Sequence, residues 1–200
     1  MRLYYSPGAC SLAVHIALRE VSMPFQLEKV DLKTKRTEHD RDYFEVNPKG
    51  SVPALQLDSG DVLTEAAVCL QYVADSAPER RLAPAAGTMA RYRLIEWLNY
   101  ISSELHKTFG RLFHEERQDR REEVIALLKP RLAYVARQLR STDYLMGPDF
   151  TIADAYLFAV LNWTHFLKVD IKPWPALGDF LARMARRPTV QDAKKAEGIG

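Results

Sequence analysis

Cysteine is nearly absent from this sequence. Its 200 residues include only two cysteines, Cys10 and Cys69, which do not form a CxxC motif. Isolated cysteines exclude a disulfide framework, and the lack of a second cysteine beside Cys10 argues against a self-contained dithiol oxidoreductase. The composition therefore predicts a protein with free thiols in a reducing compartment, the cytoplasm.

Long apolar runs and an excess of one charge are also lacking. No stretch approaches the ~20 apolar residues that cross a bilayer, and the N-terminal "MRLYYSPGAC" lacks the apolar core of a signal peptide. Lys and Arg total 28 against 26 Asp and Glu, a formal charge of +2. This balance predicts neither nucleic acid nor a membrane as a partner.

The first third of the sequence alternates strand-like and helical patterns. The predicted elements are strands at 2–5 and 25–32, a helix at 11–20, a hairpin at 52–57 and 61–64, and a helix at 65–76. The order β-α-β, a variable link and β-β-α predicts a small mixed sheet covered by helices.

The rest of the sequence contains helical patterns alone. The segment "APERRLAPAAGT" contains prolines and a glycine and predicts a linker, which gives domains at 1–78 and 89–200 joined by residues 79–88. Pro130 predicts a kink in its helix. Helices are predicted at 89–116, 121–141, 151–169, 176–187 and 189–197.

Cys10 lies just before the predicted helix at 11–20. A helix N-terminus presents unpaired N–H groups and partial positive charge, which favour a thiolate and lower the pKa of a cysteine. Ser11 is able to cap the helix or to offer its hydroxyl to a nearby sulfur. A buried structural cysteine is the alternative, and position alone favours a reactive thiol only slightly.

Pro53 and Glu65 are the other unusual residues of the first domain. Pro53 begins a strand-like run, where proline is tolerated at an edge or in a special turn, and a cis Val52–Pro53 bond would leave the backbone of Val52 free to pair with an extended ligand. Glu65 lies in the first turn of a helix, where it either compensates the helix dipole or holds a ligand ammonium.

Five segments together resemble the glutathione transferases, most closely the bacterial beta class. The resemblance covers essentially the whole chain, and its markers are specific in this order and spacing. They are "YYSPGACSLAVHIALRE" (4–20), "NPKGSVPAL" (47–55), "LTE" (63–65), "WLNYISSELHK" (97–107) and "FTIADAYLF" (150–158).

The resemblance implies an α/β domain followed by an all-α domain. The first would be a thioredoxin-like glutathione-binding domain of order β-α-β-α-β-β-α, and the second would carry the electrophile site and the contacts of a homodimer. It implies that glutathione is the co-substrate, without a metal, and that its thiolate is conjugated to small hydrophobic electrophiles.

The resemblance also implies which residues bind glutathione. Cys10 would lie beside the glutathione sulfur, Pro53 would be cis, and Val52 would pair with the cysteinyl backbone. The γ-glutamyl end would bind Glu65 and the backbone of Ala66, a position that is usually Gly or Ser in the family. The implied positions are Cys10, Lys35, Val52, Pro53, Glu65, Ala66, Asn99, Ser103, Glu104, Leu105 and His106, some of them reaching across from a partner subunit.

The catalytic candidates are Cys10, His106 and Ser11, the last from its position beside Cys10. A lone histidine on a helix is more often a surface or interface residue, but the resemblance implies that His106 is a donor to the sulfur anion. Lys107 is either a source of positive potential or a solvated lysine. His15 is interpreted as structural and Cys69 as a core thiol. The candidates for an apolar electrophile site between the domains, each of which is equally compatible with the core, are Tyr5, Phe109, Leu112, Phe113, Trp163 and Phe166.

Two alternative functions share the same residues. Cys10 could exchange with a glutathione mixed disulfide, as in a one-cysteine glutaredoxin, or the chain could be a non-catalytic binding module that kept the fold. The capping pattern of Thr151 and Asp154 predicts a folding role, with a loss of about 1 kcal/mol for Asp154→Ala.

Overall fold

A computed structural model describes residues 1–199. Its N-terminal part is a five-stranded sheet of order β3-β2-β1-β4-β5. Strands β1 and β2 are parallel and the other neighbours are antiparallel. The strands are β1 (Arg2–Tyr5), β2 (Gln26–Asp31), β3 (Arg36–Thr37), β4 (Ala54–Gln56) and β5 (Val62–Thr64).

The two faces of the sheet are covered differently. Leu3 and Tyr5 of β1 point into the main core, where α1 (Ser11–Glu20) and α2 (Ala66–Asp75) pack. Tyr4, between them, points to the opposite face, because successive side chains alternate along a strand. There it forms a smaller cluster with Val30, Tyr43, Val52 and Ala54. The prediction of a thioredoxin-like domain is confirmed by this architecture.

The predicted helix between the second strand and the hairpin is wrong in its detail. Strand β3 and a single turn of 3-10 helix (Tyr43–Glu45) occupy that link. Residues 31–42 are rich in charge and lack a helical apolar stripe, so a helix there would have no face to bury. Lys35 and Asp40 also adopt positive φ, which a helix does not allow.

The remainder of the described chain is helical. The helix at 152–161 is buried on every side and packs against α1. This contact joins the two halves of the molecule. No helix within residues 1–199 is long and apolar enough to cross a membrane. The elements are α3 (Met89–Tyr100), a π-helical segment (Ile101–His106), α4 (Lys107–Leu112), α5 (Gln118–Leu139), α6 (Ile152–Leu161), α7 (Trp163–Leu167), α8 (Pro175–Ala185) and α9 (Pro188–Glu197).

The long predicted helices are subdivided in the structure. The one expected at 89–116 contains the π-helical segment and ends at Leu112, and the one expected at 151–169 divides at Asn162. Helix α5 continues through Pro130 as a single element.

Candidate active site

A cleft of about 220 Å³ lies between the N-terminal sheet and the helical half. It collects side chains from five parts of the chain: the turn before α1, the loop before β4, the start of α2, the π-helical segment with the residue after it, and α6. The lining residues are Cys10, Asn47, Lys49, Ser51, Val52, Pro53, Thr64, Glu65, Ala66, Ser102, His106, Lys107 and Tyr156.

Cys10 occupies the N-cap position of α1, as the sequence predicts. Its Sγ donates a hydrogen bond to the carbonyl oxygen of Val52 at 3.2 Å. Burial raises the pKa of Cys10 to about 12, and the backbone N–H groups at the helix start lower it by less. The helix start favours the thiolate, as expected from the sequence, but burial outweighs it, and Cys10 is a neutral S–H donor to Val52.

Ser11 lies behind the turn. Its side chain is fully buried, and its Oγ accepts the N–H of Ser6 at 3.2 Å and donates to the carbonyl of Ser6 at 3.3 Å. Both of these bonds close the turn that carries Cys10. The geometry gives Ser11 a role in shaping the turn. Its candidate catalytic role, in which its hydroxyl is offered to a nearby sulfur, remains a prediction.

Val52 and Pro53 form the wall of the cleft opposite Cys10. The peptide bond between them is cis, which confirms the conformation implied by the resemblance. The preceding carbonyl, of Ser51, accepts hydrogen bonds from Tyr43 Oη at 2.8 Å and from Asn47 Nδ2 at 2.6 Å. These two hydrogen bonds thus fix the backbone of this wall at the carbonyl of Ser51.

Glu65 lies at the N-cap position of α2 with φ +69° and ψ 120°, outside the regions that non-glycine residues favour. Residues held in such conformations cluster at ligand sites. Its carboxylate forms a salt bridge with Lys49 Nζ, which also donates to Thr64 Oγ1 at 2.7 Å. Ala66 follows as the first residue of α2. Glu65 Oε1 and Thr64 Oγ1 therefore already bind one alkylammonium group, that of Lys49.

His106 closes the cleft on the side of the helical half. Its Nδ1 lies 2.8 Å from Tyr156 Oη, and its ring meets that of Trp163 edge-on with centroids 4.9 Å apart. Burial lowers the pKa of His106 to about 4. At neutral pH the imidazole is therefore uncharged and acts as a hydrogen-bonding group rather than as a cation.

Ser102 and His106 of the π-helical segment and Lys107, the first residue of α4, line the cleft. A π turn is wider than an α turn and is frequent at functional sites. Sequence reasoning missed six of the lining residues, which are Asn47, Lys49, Ser51, Thr64, Ser102 and Tyr156. Tyr156 stands in "FTIADAYLF", a segment that marks the family resemblance and that otherwise predicts only a folding role.

Several predicted glutathione-binding residues lie outside this cleft. Lys35 Nζ donates to the carbonyl of Gly50 at 2.8 Å, and Glu104 pairs with Arg131 at 2.8 Å. Leu105 is fully buried in the core, whereas Asn99 and Ser103 are exposed. Their implied contact with glutathione, in part from a second subunit, stays a prediction.

The candidates for the electrophile site divide into two groups. Phe113 and Phe166 are 47% and 63% exposed, and Phe113 packs edge-on against Trp163 with centroids 5.2 Å apart. The buried group consists of Tyr5, Phe109, Leu112 and Trp163. Only the first group presents apolar surface to solvent, so Phe113 and Phe166 are the better candidates for contacts with a substrate.

Within residues 1–199, no cluster of three or more His, Cys, Asp or Glu side chains has the arrangement needed to hold a metal ion.

Sequence and structure comparisons agree with each other. The family model described as glutathione S-transferase, N-terminal domain, matches residues 8–76, and the corresponding C-terminal domain matches residues 95–188. The chain is 50% identical to the glutathione S-transferase GstA of Escherichia coli O157:H7 over 200 residues, which is 100% of each protein.

Two solved structures are similar over 100% of both chains. BphK, described as a bacterial GST in a ternary complex, superposes with a TM-score of 0.97 at 52% identity. A sphingomonad glutathione S-transferase complexed with glutathione superposes with a TM-score of 0.95 at 44% identity.

Proposed function

The chain belongs to the glutathione S-transferase family, and we propose that its cleft holds glutathione with the thiol beside Cys10. One observation carries this proposal: Cys10, the backbone of Val52 before a cis proline, and Glu65 line a single cleft although they are far apart in sequence. Each offers what one part of the tripeptide requires.

The γ-glutamyl end binds at the start of α2. Glu65 accepts the ammonium group, which displaces Lys49, and the backbone N–H of Ala66 binds the carboxylate at the positive end of the helix. Ala66 lacks the hydroxyl that serine offers at this position, so its contact is through the backbone alone. The N–H and C=O of Val52 pair with the cysteinyl backbone.

Neutral hydrogen-bond donors stabilise the sulfur anion. A free thiol is only a few per cent ionised at neutral pH, so donors aimed at the sulfur favour the reactive form. Glutathione replaces Cys10 as the partner of the Val52 carbonyl, and the S–H of Cys10 then turns to the glutathione sulfur. Uncharged His106, held by Tyr156, is the second donor. The sulfur attacks the electrophilic carbon and the leaving group departs.

Thiol–disulfide exchange through Cys10 is not favoured. Such exchange needs a thiolate. Burial instead raises the pKa of Cys10 to about 12, and its S–H donates a hydrogen bond to the carbonyl oxygen of Val52. A non-catalytic module is not favoured either, because the close relatives carry the name glutathione S-transferase over their whole length.

The electrophile is a small hydrophobic molecule, for which Phe113 and Phe166 offer exposed rings. Phe113 packs on Trp163, whose ring also meets that of His106 at the cleft. The protein is a cytoplasmic homodimer in which the helical half of one subunit, including Asn99, completes the site of the other. Size-exclusion chromatography with light scattering tests the dimer, and a monomer at micromolar concentration would remove the shared-site role of Asn99.

Calorimetric titration with glutathione tests the site. The wild type should bind it, and Glu65→Gln should weaken binding by about tenfold or more, because a charge-assisted bond to the ammonium is lost. Glu79→Gln, at an exposed position after α2, is the matched control and should bind like the wild type. Equal affinity of Glu65→Gln and the wild type would contradict the proposed orientation.

A further inference from the structure

The carbonyl of Ser51 is held by two buried donors that do not belong to the strands of the sheet. Tyr43 Oη donates to it at 2.8 Å and Asn47 Nδ2 at 2.6 Å. Tyr43 is 0% exposed and Asn47 is 1% exposed. Two buried side chains thus converge on a single backbone oxygen.

These donors form one local unit beneath the wall of the cleft. The backbone N–H of Asn47 donates to the carbonyl of Tyr43 at 2.9 Å, which fixes the two residues relative to each other. Asn47 Oδ1 accepts the N–H of Lys49 at 3.2 Å, so the amide of Asn47 is bonded at both ends within the loop. The unit therefore fixes the path of residues 47–51.

The consequence for the cleft follows from the planarity of the peptide bond. The C=O of Ser51 and the N–H of Val52 belong to the same rigid peptide group and point in opposite directions. Holding the Ser51 oxygen beneath the sheet therefore determines the direction of the Val52 N–H. In the proposed function that N–H is the donor to the cysteinyl backbone of glutathione.

We propose that Tyr43 and Asn47 are positioning residues for glutathione binding, which act by fixing the Ser51–Val52 peptide group. The inference rests on the proposed function, because the ligand of Val52 is glutathione. Tyr43 carries the argument most clearly because it does not line the cleft, so its hydroxyl acts on the ligand only through Ser51. Burial raises the pKa of Tyr43, so the hydroxyl keeps its proton under all working conditions.

The chain offers a closely matched control for Tyr43. Tyr4 is also fully buried, lies in the same cluster, and has its ring centroid 5.7 Å from that of Tyr43. Its hydroxyl donates to the side chain of Gln56 at 3.3 Å rather than to the backbone of the cleft. Tyr43→Phe and Tyr4→Phe therefore delete the same atom from the same cluster with different consequences for the cleft.

The test is steady-state conjugation of glutathione to an aryl halide by the wild type, Tyr43→Phe and Tyr4→Phe. For Tyr43→Phe we expect KM for glutathione to rise by about three- to tenfold, the effect of one neutral hydrogen bond. We expect kcat and KM for the aryl halide to remain unchanged. For Tyr4→Phe we expect all three constants to match the wild type, whatever the change in melting temperature.

A second variant keeps the test independent of one substitution. Asn47→Ala removes the other donor, and Tyr43→Phe/Asn47→Ala should raise KM for glutathione above the value of either single variant. An unchanged KM for glutathione in Tyr43→Phe, or equal shifts of that KM in Tyr43→Phe and Tyr4→Phe, would overturn this inference and leave the proposed function standing. A wild type that neither binds nor conjugates glutathione would overturn the proposed function together with it.

Discussion

Gly8 and Glu197 are 189 positions apart in the sequence, yet Glu197 Oε2 accepts the backbone N–H of Gly8 at 2.9 Å. The carbonyl of Gly8 accepts Trp163 Nε1 at 2.8 Å. The turn that presents Cys10 is therefore held by the last helix of the described chain and by α7. Because half-buried bonds of this kind leave poorly satisfied donors when broken, these contacts couple the geometry of the thiol to the helical half.

Glu197→Ala tests this coupling. Glu197 Oε1 also lies 2.9 Å from Nδ1 of the buried His15, so the substitution leaves one buried donor and one half-buried donor without an acceptor. We expect the free energy of unfolding to fall by at least about 2 kcal/mol, measured by urea denaturation. Glu123→Ala, on the exposed face of α5, is the control and should change it little. Equal stabilities of the two variants would contradict the role of Glu197.

Asp154 contributes more than the cap predicted from the sequence. Its fully buried carboxylate accepts the N–H groups of Thr151 and Leu145, each at 2.8 Å, and the hydroxyl of Thr151 at 2.9 Å. We expect Asp154→Ala to lower the free energy of unfolding by about 2–4 kcal/mol. Asp149→Ala, at an exposed position just before α6, is the control. A decrease in the free energy of unfolding of about 1 kcal/mol or less would show that Asp154 acts only as an ordinary cap.

The half-buried imidazole of His106 makes stability depend on pH. Its pKa is about 4 in the folded protein against 6.5 for an ordinary histidine, so the unfolded chain binds more protons between these values. Stability from this residue is present above pH 6.5 and is lost as the pH falls toward 4.

Urea denaturation at several pH values measures the effect. The wild type should lose stability relative to His106→Gln across that interval, because glutamine cannot be protonated. Parallel pH profiles for the two proteins would show that His106 titrates normally in the folded state.

The thiol of Cys10 should react slowly in the ligand-free protein. Because its pKa is about 12, the rate of alkylation by iodoacetamide should rise with pH through pH 10 without a plateau. Mass spectrometry assigns the modified site and separates Cys10 from Cys69, whose pKa burial also raises to about 12. A plateau in the rate at Cys10 below pH 8.5, the usual thiol pKa, would indicate an activated thiolate.

Local sequence patterns predicted the elements that define the cleft. Helix α1 has the predicted bounds, 11–20, because its apolar period and the preceding Pro7–Gly8 turn are both local signals. The hairpin was also predicted, although β4 begins only after the cis Pro53. In the link before it, local patterns predicted no element and the resemblance implied a helix, whereas the structure has β3, which is stabilised by pairing with β2 rather than by its own sequence.

The electrostatics of the site could not be predicted in the same way. The position of Cys10 at a helix start suggested a thiolate, but burial by distant residues outweighs the helix. The neutral state of His106 and its bond to Tyr156 likewise depend on tertiary packing. Ser102, by contrast, was within reach of the sequence, because it lies four residues before His106 and residues i and i+4 share one face of a helix.

The rate of glutathione conjugation to an aryl halide, measured for the wild type and Cys10→Ala in parallel, tests the central claim most directly. We expect the wild type to catalyse the reaction. Cys10→Ala should still bind glutathione, but its kcat should be clearly lower because the S–H donor to the sulfur anion is lost. A wild type without activity would contradict the assignment as a transferase, and an unchanged kcat in Cys10→Ala would contradict the role of Cys10 beside the reacting sulfur.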